Sequence, residues 1–295
     1  TFNRTVSANL GMSYSIANVL IEAGISNIAR WLPQSMSNNE IHDRLRNKMI
    51  RPTSIPQTLE DLHLEHAVCR EALRLSLEHH RSLAVGLRGV QRRKGIADIF
   101  SQQSSSDNIV DMMGLDLVIG SGGVLSHAPD RKSAALMLLD GFALEGVTQL
   151  TVDSIFMLPH LGVFSSVHPQ AAEDVLFRDC LVHLGYGIVP IYPAKFSGAD
   201  LAEVRICGRN VGSIRVGEVA IVETEVGQKE ILEVHPCHRS IDVGAGKGVV
   251  LEREIITGEC GLFLDGRNRP IHFESSVELQ AEKQRLILES LEIAH

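Results

Sequence analysis

Apolar positions change their spacing twice along this 295-residue chain, dividing it into a helical part, an alternating part and a β-rich part. In the first, Leu59, Leu62, Cys69, Leu73, Leu77 and Leu87 recur at helical intervals, which predicts one long helix with a single apolar stripe. Pro52-Thr53-Ser54-Ile55-Pro56 ahead of it is a stiff, extended connector, because proline fixes its own φ and moves its predecessor out of the helical region. Thr58 stands where an N-cap belongs, and Glu60 and Asp61 set negative charge against the free N–H groups of the first turn. The helix is expected to run to about Val85 and stop near Gly86 or Gly89. The polar run Ser101-Gln102-Gln103-Ser104-Ser105-Ser106 reads as an exposed link.

Strand and helix patterns alternate from residue 115 to about 195. The apolar run Leu115–Ile119 meets Gly120-Ser121-Gly122-Gly123, and a helix follows with Ala135, Leu138, Leu139 and Phe142 on one face and Asp130 as its cap. Thr148–Asp153 reads as a second strand. Pro169 opens another helix, with Ala172, Val175 and Leu176 facing inward. This is α/β organisation. Beyond residue 198, short runs at 204–206, 219–222, 249–251, 262–264 and 270–273, punctuated by glycines, predict a β-rich, barrel-like or sandwich domain. Asp265-Gly266 is a hairpin-type dipeptide, and Ser276–Ala294 reads as a terminal helix. The expected divisions are therefore 1–110, 111–197, 198–275 and 276–295.

Composition narrows the function. Hydrophobic residues at 44% and charged residues at 22% are enough to build a packed core. A net charge of −8 argues against sequence-independent nucleic-acid binding, which needs clustered Lys and Arg, and Arg92-Arg93-Lys94 is too short to reverse that. Five scattered cysteines without a C-x-x-C pair suggest reduced thiols and a cytoplasmic protein. No apolar run reaches the roughly 18 residues of a membrane span. The start, Thr1-Phe2-Asn3-Arg4, has no signal-peptide core and no Met, which suggests a piece of a longer protein.

The glycine cluster is the leading candidate for chemistry. A strand ending in Gly-x-Gly-Gly exposes backbone N–H groups and lets a flat ring approach without a Cβ in the way. The same parts make ordinary strand–helix corners, and neither G-x-G-x-x-G nor G-x-x-x-x-G-K-[ST] is present, so the residues alone leave both readings open. Ser240–Lys247 imitates a phosphate loop, but it reads as a glycine-rich β turn. Lys247 lacks a following Ser or Thr, and too few residues remain for another lobe. His235, Cys237 and His238 lack a second Cys/His pair to complete a zinc site and read as exposed turn residues. His63 and His66 share a helix face and, with His79 and His80, read as surface or rim residues. No catalytic role is assigned to Asp116, Asp153 or Asp179, and no G-x-S-x-G elbow supports a serine hydrolase.

The runs "DLVIGSGGVLSHAP", "ALMLLDGF", "VDSIFMLPHLGV" and "HPQAA" resemble the MutL (GlmL) family, accessory proteins of adenosylcobalamin-dependent glutamate mutase, unrelated to the mismatch-repair proteins of similar name. "RTVSANLGMSYS", "NKMIRPTSIPQTLEDLHLEHAVCREALRLSLEHHR", "DVGAGKGVV" and "GLFLDGRNRPI" extend the resemblance over nearly the whole chain. It implies an actin-like, Hsp70-like ATPase: a helical subdomain, the adenosine-binding part of the RNase H-like second lobe and a β-rich appendage. The adenosine motif would fall on Gly120, Ser121, Gly122, Gly123, Val124 and Ser126, with ATP and Mg²⁺ as cofactors of the full-length protein, bound weakly or not at all by this piece, and mutase subunits as partners. The phosphate-gripping D-x-G loops of such ATPases do not lie upstream of Gly120, so the first lobe is expected to be missing and this piece to have weak or no ATPase activity. Ser7-Ala8-Asn9 stand where the family carries acidic residues before Leu10-Gly11-Met12, which weakens metal-assisted hydrolysis even in a parent protein. The function implied is that of a reactivating chaperone. The alternatives are a non-enzymatic adaptor and a hydantoinase-like amidohydrolase.

Overall fold

A computed structural model describes residues 9–85 and 110–293. Leu87, Gly86, Gly89, the basic triplet at 92–94 and the polar run at 101–106 lie outside the described residues, as do Ser7 and Ala8.

Four helices come first: α1 (Ile16–Ala23), α2 (Ile25–Ala29), α3 (Asn38–Ile50) and α4 (Leu59–Val85). Two of them start on side-chain caps. The Ser37 hydroxyl accepts the Glu40 N–H at 3.2 Å, and Thr58 Oγ1 accepts the Asp61 N–H at 3.2 Å. Thr58→Ala is expected to cost about 1 kcal/mol, measured as a lower urea midpoint at unchanged slope. The long helix α4 has two apolar sides. Leu64, Ala67, Val68, Ala72 and Leu75 pack with α1, α2 and Trp31, whereas Cys69, Leu73 and Leu77 face the core of the sheet that follows. The single stripe expected from the sequence is thus one of two faces. Leu59, at its start, is exposed.

Next come β1 (Leu117–Gly120), α5 (Gly123–Ser126), α6 (Arg131–Gly141), β2 (Gly146–Asp153), α7 (Leu158–Phe164), α8 (Pro169–Val175), one π turn (Leu176–Cys180) and β3 (Leu181–Val189). The Asp130 carboxylate accepts the Lys132 N–H at 2.8 Å and opens α6. Every residue of α6 from Ser133 onward is buried, so the helix is covered on all sides and its one buried charge, Asp140, needs partners. Alanine, leucine and methionine face the sheet and α4, while Leu136 meets the last helix.

The remaining elements are β4 (Asp200–Ile206), β5 (Arg209–Arg215), β6 (Val219–Val222), β7 (Lys229–Pro236), β8 (Leu251–Ile256), β9 (Leu262–Asp265) and α9 (Val277–Ser290). They do not close a barrel among the described residues. Instead β5-β4-β7-β8 form an open antiparallel sheet, and β9 and β6 extend the first sheet to the order β1-β2-β3-β9-β6. The physical reason lies in β9, where all four residues are buried. Phe263 packs into the core beneath α6, and Leu262 and Leu264 pack into the core between the two sheets, so the strand needs cover on both faces. Strand β9 runs parallel to β3 and antiparallel to β6. Asp265-Gly266 makes no hairpin. It ends β9 where the backbone passes close to β5: a Cβ on Gly266 would lie 1.7 Å from the Arg215 carbonyl oxygen. Residues 270–273 form no strand either. Ile271 and Phe273 leave the sheet to cover the helical core, with the Phe273 ring edge-on to Trp31 at 4.9 Å.

Helix α4 approaches α6 closely at Gly141, where a Cβ would lie 2.7 Å from the Leu73 Cβ. A buried ion network fills this crossing. Asp140 of α6 accepts from Arg70 of α4 at 2.7 Å and from Arg267 at 2.8 Å, and Asp265 accepts from Arg267 and Arg269, each at 2.8 Å. Burial would raise the Asp265 carboxyl pKa, but the Arg267 and Arg269 guanidiniums overcome that and hold it well below the usual carboxylate range. On the opposite side of α4, buried Glu71 accepts from Arg30 and from the Trp31 indole, each at 2.7 Å, and from Arg74 at 2.8 Å. Adjacent residues of one helix thus fasten the sheet on one side and the helical layer on the other.

Candidate functional site

Between α4 and the glycine corner after β1 lies a cleft of about 1080 Å³. That is just above the roughly 300–1,000 Å³ usual for small-molecule sites. One wall is Ser121–Leu125 with His127–Pro129 and Phe156, and the other is α4. The connector at 52–58 and Leu10–Ser13 frame its mouth.

The corner depends on glycine. Gly122 has φ +120° and ψ 151°, a conformation essentially closed to residues with a Cβ. Among the described residues none lies within 4 Å of a Cβ added at Gly122 or Gly123, so both present bare backbone to the cleft. Gly120 serves packing instead, since its Cβ would press on Leu125 and Leu138 at 3.1 and 3.2 Å. Ser126 is a buried stitch. Its hydroxyl donates to the Asp153 carbonyl oxygen at 2.5 Å, and Arg131 donates to the Ser126 carbonyl oxygen at 2.8 Å. Of the six residues singled out from sequence, Ser121, Gly122, Gly123 and Val124 line the cleft, and Gly120 and Ser126 hold its shape from behind.

Helix α4 supplies the facing wall with Leu59, Leu62, His66, Cys69, Leu73 and Ser76, spaced alternately three and four residues apart. Burial, then the charges of Arg70 and His63, lowers the His66 pKa to about 3, so its ring is neutral across ordinary pH. Burial pushes the Cys69 thiol up to about 12, which leaves it protonated and unreactive. Lys48 of α3 bonds both the Glu65 carboxylate and the Ser54 carbonyl oxygen, tying the connector to α4. Lys48, Glu65, His66 and the connector escaped the sequence reading as site residues. The available signal was the spacing of 59, 62, 66, 69, 73 and 76, in which polar residues interrupt an otherwise apolar stripe.

The other candidates resolve into structure. Asp242 Oδ1 accepts the N–H groups of Gly244 and Gly246 at 3.0 and 3.1 Å, so the glycine turn at 240–247 folds around its own carboxylate. His235 bonds Glu233 at 2.9 Å, and His238 bonds the Ser240 hydroxyl at 2.7 Å. Among the described residues no group of three or more His, Cys, Asp or Glu side chains is arranged to hold a metal ion. Asp153 is buried and caps α7, accepting the Met157 and Leu158 N–H groups at 3.1 and 3.0 Å. Asp116 pairs with Arg253 at 2.9 Å, and Asp179 with Arg178 at 3.5 Å. His63 and His66, expected at the surface or rim, are both buried where α4 packs; His63 meets Gln34 at 3.1 Å, and His79 meets Glu22 at 3.2 Å. The five cysteines are free, and no described helix is long and apolar enough to cross a membrane.

Fold and cleft together define a mixed α/β protein in which a helical layer faces a glycine corner across a ligand-sized space. Residues 1–180 match the family described as MutL protein, more than half of the chain, and the chain belongs to that family. It is similar to Protein MutL of Clostridium tetanomorphum, with 23% identity over 180 residues, 59% of this chain and 36% of that protein. The chain thus spans about a third of the length of this curated relative. No solved structure matches it.

Proposed function

We propose that this chain is the adenosine-binding part of an actin-like, ATP-dependent accessory protein that reactivates an adenosylcobalamin-dependent mutase of the glutamate mutase type. The observation that carries the nucleotide reading is the cleft itself. Bare backbone at Gly122 and Gly123 faces a largely apolar helix wall across a space large enough for a nucleoside. Membership of the MutL family supports the mutase as partner. ATP with Mg²⁺, when bound to a complete protein, supplies the free energy of phosphoryl transfer. In this chain Ser121–Val124 hold the base and sugar, and α4 excludes water from them. The free cysteines agree with a cytoplasmic setting.

Calorimetric titration with adenosine, ADP and ATP tests this reading. The native chain is expected to bind all three with similar affinity, because the phosphates add little here. Gly122→Val, which puts a branched side chain into the cleft, is expected to weaken each by at least about tenfold while keeping a cooperative melt. Absence of adenosine binding to the native chain, or undiminished binding by the variant, would count against the site. Retention of mutase subunits on the immobilised chain checks the partner separately.

A further inference from the structure

The adenosine reading leaves open which group recognises the base, and the α4 wall offers few candidates. Leu59, Leu62 and Leu73 supply only apolar surface, Glu65 is engaged by Lys48, Ser76 is only half-buried, and the protonated Cys69 thiol is a weak hydrogen-bonding group. His66 differs. The residue is 7% exposed, and its buried Nε2 has no hydrogen-bond partner among the described residues. Buried polar atoms are nearly always paired, and an exception calls for a partner outside the chain. His66 borders the cleft and also a second, small and partly open space that it lines with Trp31, His63, Arg70, Ser133 and Gln284. Arg70, anchored at 2.7 Å to Asp140, fixes the helix turn behind it. An unprotonated imidazole carries one N–H donor and one bare nitrogen acceptor. Across the cleft, Gly122 and Gly123 leave room for a flat ring to lie against the backbone.

We propose that His66 is the specificity residue of this cleft, its ring accepting a hydrogen bond from the 6-amino group of an adenine laid against Gly122 and Gly123. The proposal rests on the adenosine reading above and adds to it a preference among purines.

Titration of the native chain, His66→Leu and His66→Gln with adenosine and with purine riboside, which lacks the 6-amino group, tests it. The native chain is expected to lose roughly three- to tenfold in affinity when the amino group is removed. His66→Leu is expected to lose a similar factor for adenosine and nothing further for purine riboside, so that the two losses do not multiply. His66→Gln, which keeps an acceptor, is expected to retain part of the preference. A His66→Leu protein that still separates the two ligands as the native chain does overturns the proposal. So does a native chain that binds both ligands equally, and that result leaves the adenosine reading standing. A native chain that binds neither removes both. If His66→Leu lacks a cooperative melt, the decision passes to the ring-nitrogen resonances of His66 in the native chain. These are expected to move with adenosine more than with purine riboside, and equal movement overturns the assignment.

Discussion

Asp265→Ala is expected to lower the unfolding free energy by about 3–5 kcal/mol, because it leaves the buried guanidiniums of Arg267 and Arg269 without their shared carboxylate. Desolvation decides the size of the effect: the loss comes chiefly from stranding charge, so replacing all members together with apolar residues would cost far less. Urea denaturation of the native and variant proteins measures it, with Arg178→Ala as the control. Arg178 and its partner Asp179 are 78% and 50% exposed, so that substitution is expected to change nothing measurable. A pH series separates the charge effect from simple loss of volume. The Asp265 pKa is lowered by folding, so its contribution is complete above the unfolded value of about 3.8 and is lost as pH falls below it. His66 acts at higher pH. Folding lowers its pKa from 6.5 to about 3, so the unfolded chain takes up the proton first, and stability falls from about pH 6.5 downward. Asp265→Ala should reduce the acid-side loss below about pH 4 and leave the His66 slope above it. A variant with the native pH profile would show that the network carries no linkage.

Gly185→Ala is the second large effect. Gly185 sits at the β2–β3 register shift with φ +143°, and a Cβ there would lie 1.9 Å from the Gly261 carbonyl oxygen. Backbone cannot swing aside as a long side chain can. Strain at the dihedral and overpacking against β9's lead-in together are expected to cost about 3 kcal/mol or more. Thermal melting against Gly208→Ala, at a glycine also of positive φ but free of the clash, compares the site with one where only the dihedral is strained. Equal destabilisation by the two substitutions would mean that the approach to Gly261 adds nothing to the cost.

Those two sites also mark what local sequence could not reveal. The N-cap at Thr58, the cap at Asp130, the strand at 148–153 and the proline start of α8 were legible because each is decided within four or five residues. Asp140 and Arg267 are 127 positions apart, and nothing near either one announces the other. Burial of Leu262–Leu264 on both faces was likewise invisible. An apolar run of that length suits a barrel strand or the interior of a larger sheet, and only pairing with β3 decides between them. The glycine corner was legible as a strand–turn–helix. Its opposing wall was not, because Leu62, Cys69 and Leu73 have the spacing of an ordinary core stripe, and a helix that lines a cleft needs the same periodicity as one that fills a core.

The placement of β9 between β3 and β6 also sets an order of events during synthesis. The helical layer draws most of its core from the first 75 residues and needs only Ile271 and Phe273 from the far end. The first sheet has no such early closure, because its fourth strand by position is made after nearly every other strand-forming residue. Until Arg267 has left the ribosome, Asp140 lacks that partner, and until Phe263 has, α6 covers a gap where its ring belongs. The wall that carries Gly122 is therefore encoded early in the chain and made rigid late.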